Sequence, residues 1–109
     1  MVLTITSAEL ADLVHQGEVD LVDVRDQDEW DSGHIANSRL IPLETLRANP
    51  EDFLARGSTI VFVCAKGVRS LAAAKLADRF GYENLYTIEG GIKQWAREGM
   101  SLVVDDLAA

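Results

Sequence analysis

Thr59-Ile60-Val61-Phe62-Val63-Cys64-Ala65-Lys66-Gly67-Val68-Arg69-Ser70 is the stretch that decides the fold. It opens on an unbroken β-branched and aromatic run, which predicts a strand covered on both faces and placed at the centre of a sheet. A short loop containing Gly67 comes next, and Val68 to Phe80 predicts a helix with Val68, Ala72, Leu76 and Phe80 on one stripe and Gly81 as its stop. In such a strand-loop-helix unit the loop amides and the start of the helix point at whatever occupies the loop, which stabilises a thiolate or a bound anion. Cys64, the single cysteine of the chain, stands at that junction with Lys66 and Arg69 close behind it. A strand-end cysteine can also be a small buried hydrophobe. That role gives no reason for Lys66, Gly67 and Arg69 to come after it, whereas a reactive thiol needs an electropositive, partly exposed setting.

Toward the N-terminus, Val2 to Ile5 predicts a short strand, and Thr6 with Glu9 forms a capping-box signature before a helix of about ten residues that ends at Gly17. Asp20 to Val24 is a second strand. Gln27 to Ser32 carries a helical turn, with Arg25 and Glu29 spaced to pair. Arg39 to Ile41 is a brief third strand ended by Pro42, and Leu43 to Leu54 holds one or two short helices interrupted at Asn49-Pro50. Beyond the central unit, Asn84 to Ile88 is a fifth strand, and Gly90-Gly91 opens a last helix through Trp95 to about Glu98. Strands alternating with helices along the whole chain predict an α/β fold around a mainly parallel five-stranded sheet, with residues 1–109 as a single domain. Ligands of such sheets sit at the carboxyl ends of strands, where Cys64 and Asp23 to Arg25 fall.

The chain of 109 residues is 48% hydrophobic and 26% charged, a composition suited to one packed domain rather than a disordered or fibrous protein. No run approaches the roughly 20 apolar residues of a membrane span. The N-terminus has no basic segment of a secretory signal, so the expected compartment is the cytoplasm. There a lone thiol stays reduced. One cysteine with His15 and His34 cannot supply a cysteine-rich zinc site, and no cofactor is expected. A net charge of −8 argues against nucleic acid or an acidic membrane as partner. It also repels an anionic substrate, but that field is screened within about 8 Å at physiological salt, while Lys66 and Arg69 act at contact distance.

Three segments resemble the rhodanese domain family. Leu21-Val22-Asp23-Val24-Arg25 with Glu29-Trp30, Gly33-His34-Ile35 and Ile41-Pro42-Leu43 is similar to its first signature. Cys64-Ala65-Lys66-Gly67-Val68-Arg69-Ser70 looks like its active loop, Cys-x-x-Gly-x-Arg-Ser. Gly90-Gly91-Ile92 with Trp95 resembles its closing Gly-Gly-x-x-x-Trp. The resemblance implies a rhodanese-like three-layer fold and sulfurtransferase chemistry. A sulfane sulfur would pass from thiosulfate or a related donor, through a Cys64 persulfide, to cyanide, a thiol or a protein acceptor. Ala65, Lys66, Gly67, Val68, Arg69 and Ser70 would form the substrate loop. Its amides would face the sulfur, Gly67 would supply the turn, and Lys66 and Arg69 would hold the sulfonate. Arg69 has an alternative as a brace paired with a carboxylate.

Asp23 and Arg25 are expected to pair with loop backbone and Glu29 as structural ions. His34 is expected to be structural, since an ionised thiol needs no general base, and Trp30 and Trp95 to pack. Asn37 stands where many relatives have glycine, a place asparagine tolerates. Two competing functions share the fold. Phosphatases and arsenate reductases have a Cys-x5-Arg loop, one residue longer than the Cys-x4-Arg here, and non-catalytic interaction modules tend to lose the cysteine or the loop charges, both of which this chain keeps. The chain suits a monomer or a homodimer, and the tail from Leu102 to Asp106 has the options of packing back, dimerising or fraying.

Overall fold

The computed structural model describes residues 1–104 and contains, in chain order, β1 (Val2–Ile5), α1 (Ser7–Gln16), β2 (Asp20–Asp23), α2 (Gln27–Ser32), β3 (Arg39–Leu40), α3 (Leu43–Ala48), α4 (Pro50–Phe53), β4 (Ile60–Val63), α5 (Val68–Arg79), β5 (Leu85–Ile88) and α6 (Gly91–Arg97). The starts and stops reflect local chemistry. At α1 the Glu9 amide donates to Thr6 Oγ1 at 3.1 Å and the Thr6 amide to Glu9 Oε1 at 2.9 Å, the reciprocal cap its spacing predicts. Gly17 then ends the helix in the left-handed region at φ 74°. Pro50 opens α4 and separates it from α3, as expected of a proline at the first helical position.

The strands form one sheet in the order β1-β5-β4-β2-β3, and every neighbouring pair is parallel. All four residues of β4 are buried at its centre. Alternation along β4 and into the loop sends Ile60, Phe62 and Cys64 to one face, where α3 and α5 cover them, and Val61 and Val63 to the other, beneath α1 and α6. Helix, sheet and helix therefore make three layers. Each fully buried side chain of Val, Ile or Phe size contributes about 1.5–3 kcal/mol through the area it removes from water, so β4 is the main energetic anchor of the loop that leaves it. No helix among the described residues is long and apolar enough to cross a membrane.

α5 turns a different face to the sheet from the one its larger apolar residues suggest. Ser70, Ala73, Ala74, Leu76 and Ala77 are buried, whereas Val68 is 78% exposed and Phe80 42% exposed. Alanine lets the helix approach β4 closely, and the four-residue stripe read from helical spacing matches the buried face only at Leu76.

The ionic pairing at the end of β2 also differs from expectation in one partner. Arg25 Nε and Nη2 donate to the Asp23 carboxylate at 2.9–3.1 Å, and Nη2 donates to the Gly33 carbonyl at 2.8 Å. Arg25 lies before α2 rather than within it, so helical spacing does not bring it onto Glu29. Both ions are buried and satisfied, as such groups must be. Asn37 takes the left-handed conformation at φ 69°. Past α6, Val103 and His34 exchange backbone hydrogen bonds at 2.8 and 2.9 Å, and Trp95 Nε1 donates to the Ser101 carbonyl at 3.0 Å. Residues 101–103 thus pack back onto the domain, while Asp105 and Asp106 lie outside the described residues.

Candidate active site

β4 delivers Cys64 to the carboxyl edge of the sheet, and the next six residues fold over its sulfur. The Gly67 amide donates to Sγ at 3.1 Å and the Ser70 amide at 3.3 Å. In the thiol form Sγ donates to Ser70 Oγ at 3.4 Å, and Ser70 Oγ donates to the Gly67 carbonyl at 3.2 Å. Gly67 has φ 110°, the turn that swings its amide inward, and L-residues adopt it only under strain. Burial pushes the Cys64 thiol up. The Ser70 hydroxyl and the amides of Ser70, Gly67 and Lys66 outweigh that by stabilising the anion, and the net effect lowers the pKa below its ordinary value. On ionisation the Ser70 hydroxyl turns its proton to the sulfur.

The loop is held from below by the start of α6. The Ile92 amide donates to the Cys64 carbonyl at 2.8 Å and the Lys93 amide to the Ala65 carbonyl at 3.0 Å. Gly91 makes that approach possible: a Cβ there would lie 2.5 Å from the Ala65 carbonyl oxygen and 2.7 Å from that of Cys64. From the side, Arg69 Nη1 and Nη2 donate to Glu29 Oε1 and Oε2 at 2.6 and 2.9 Å, a bidentate clamp between the loop helix and α2. That hydrogen bonding holds the Glu29 carboxyl at about 2, against a smaller upward push from burial, and raises Arg69 above its ordinary value.

Above the sulfur lies a pocket of about 330 Å³ lined by Glu29, Cys64, Ala65, Lys66, Val68, Arg69 and Lys93. Cys64 is 1% exposed and borders this pocket. Cys64, Ala65, Lys66, Val68 and Arg69 meet there, and Gly67 and Ser70 turn their amides to its floor. Arg69 takes the bracing role, since its charge is committed to Glu29. Sequence reasoning missed the Glu29 partnership and missed Lys93. The available signal for Lys93 was topological: β4 and β5 are parallel neighbours, so the segments that leave their carboxyl ends share one edge of the sheet. His34 is not in the pocket lining. It is 3% exposed, its ring stacks on Trp30 at 3.5 Å with 4° between planes, and its Nδ1 lies 3.1 Å from the Trp30 carbonyl.

A profile of the Rhodanese-like domain matches residues 6–98. The chain is 37% identical over 99 residues to the probable adenylyltransferase/sulfurtransferase MoeZ of Mycobacterium tuberculosis, covering 87% of this chain and 25% of that protein. It thus spans about a quarter of the length of that curated relative. Among solved structures, the rhodanese-related protein of Thermoplasma volcanium superposes with a TM-score of 0.86 at 34% identity, covering 94% of this chain and 99% of that one. The human single-domain sulfurtransferase TSTD1 superposes with a TM-score of 0.77 at 28% identity, covering 87% and 96%. Sequence and architecture agree that the chain belongs to the rhodanese-like domain family.

Proposed function

We propose that the protein is a sulfurtransferase that carries a sulfane sulfur on Cys64, with thiosulfate as donor and a thiol, cyanide or protein thiol as acceptor. The observation that carries this reading is the inward-turned set of donors on Cys64 Sγ, from the Gly67 and Ser70 amides and the Ser70 hydroxyl. The thiolate attacks the outer sulfur of thiosulfate. A new S–S bond forms at Sγ, the bond from that sulfur to the sulfonate breaks, and its electron pair leaves with sulfite. The negative charge moves to the terminal persulfide sulfur, where fixed amides stabilise it without rearranging. Neither half of the transfer needs a general base when the attacking group is already ionised, and the carboxylate in the lining, Glu29, is committed to Arg69. A free thiol that must stay reduced between turnovers suits a cytoplasmic setting.

A tetrahedral phosphate or arsenate would require Arg69 to turn away from Glu29, and the tight Cys-x4-Arg ring leaves less room for it. Both points weigh against oxoanion hydrolysis or reduction. The reading is tested by intact mass after thiosulfate treatment, again after cyanide, alongside Cys64→Ser. The expected result is one added sulfur atom on the wild type, removed by cyanide and absent from the variant. No gain with thiosulfate would overturn thiosulfate as donor, and would leave a different donor or a binding role.

A further inference from the structure

The pocket over Cys64 is rimmed by three cations, Lys66, Arg69 and Lys93, and one anion, Glu29. Arg69 and Glu29 neutralise each other through two short hydrogen bonds. What remains is an unbalanced pair of ammonium groups, since neither Lys66 nor Lys93 has an ion-pair partner among the described residues. The two come from separate elements, Lys66 from the loop itself and Lys93 from α6. The position of Lys93 is not accidental. Its own amide is bonded to the Ala65 carbonyl, and the close seat of Gly91 on the Cys64 and Ala65 carbonyls prevents α6 from sliding along the loop. Local positive charge is unusual on a chain of net charge −8, and it is concentrated where an anionic substrate would enter.

We infer that Lys93 is a specificity-determining residue, which with Lys66 favours donors whose leaving group is a compact anion, such as the sulfonate of thiosulfate, over hydropersulfides with an uncharged tail. This rests on the sulfur-transfer reading. Thiosulfate brings two negative charges to a thiolate, and sulfite carries two away. Contact cations are therefore needed both on arrival and as the sulfur–sulfur bond breaks. A hydropersulfide with a neutral tail places no sulfonate against the rim. Its outer sulfur passes to Sγ with its proton, and its inner sulfur leaves with the electron pair of the broken bond as a thiolate of single charge, against the two charges of sulfite.

Two measurements test the inference. In the first, steady-state kinetics compare thiosulfate with 2-hydroxyethyl hydropersulfide as donor for wild type, Lys93→Gln and Lys93→Arg. The expected result is that Lys93→Gln lowers kcat/KM for thiosulfate about tenfold more than for the hydropersulfide, mainly through KM. Lys93→Arg should recover most of that loss because it keeps the charge. Equal effects on both donors would overturn the inference. In the second, sulfite is titrated calorimetrically into Cys64→Ser with and without Lys93→Gln, a readout that needs no turnover. About tenfold weaker binding with the second substitution supports the inference, and equal binding, or none to Cys64→Ser, overturns it. If the wild type takes no sulfur from thiosulfate while sulfite binding still depends on Lys93, the donor assignment falls and takes the donor-specificity role with it, and Lys93 is left as an anion-binding residue.

Discussion

Ser70 touches the Cys64 sulfur with both its amide and its hydroxyl, and the two contacts can be separated by mutation. Ser70→Ala keeps the amide and the small buried volume but removes the hydroxyl that stabilises the thiolate. A hydrogen bond to a charged group contributes about 1.5 kcal/mol or more, and about 1.4 kcal/mol is tenfold in an equilibrium or a rate. The thiol pKa should therefore rise and alkylation of Cys64 by iodoacetamide at pH 7 should slow about tenfold, with the pH–rate curve moved to higher pH. An unchanged pH–rate curve would mean that the amides alone hold the anion. Cys64 stood out in the sequence as the candidate because a lone cysteine with Lys, Gly and Arg close behind it is a local pattern. Which amides reach the sulfur was not, since that depends on the φ of Gly67 and on how the loop closes over α5.

At the scale of elements, the Glu29–Arg69 clamp ties α2 to the start of α5. About a third of each side chain remains exposed, so solvent screens the pair and its contribution is modest, about 0.5–1 kcal/mol. The sign of its pH dependence comes from Glu29, whose pKa falls from 4.5 to about 2 on folding. A depressed carboxyl stabilises the fold fully above its unfolded pKa and loses that effect as pH falls through the folded one. In urea unfolding, Glu29→Gln should be less stable than the wild type by that amount from pH 7 down to about 4.5, and the two should converge as pH approaches 2. A constant gap down to pH 2.5 would show that Glu29 acts by packing rather than by charge. The sequence placed Glu29 in a motif but suggested the wrong arginine. Arg25 is nearer along the chain, while Arg69 is 40 residues away and reaches Glu29 only through the parallel sheet.

At the scale of the molecule, the sheet is graded from a buried centre to thin edges. β4 is hydrogen-bonded to β2 on one side and β5 on the other, while β3 has two residues and one neighbour. Native-state hydrogen exchange should therefore be slowest at Ile60–Val63, with opening free energies equal to global unfolding, and orders of magnitude faster at Arg39 and Leu40 through local opening. Exchange at β4 as fast as at β3 would contradict this hierarchy and the anchoring of the Cys64 loop with it. The sequence by itself determined the order and type of elements, the parallel sheet with β4 at its centre, the caps of α1 and the position of Cys64 at the end of β4. Each of these is encoded in neighbours along the chain, through apolar periodicity, capping residues and glycines. Only the tertiary structure decided that α5 packs by its alanines, that Arg69 braces against Glu29, and that Lys93 joins Lys66 at the pocket. These depend on which segments the sheet brings to one edge and how closely helix and strand approach, distances that no local pattern carries.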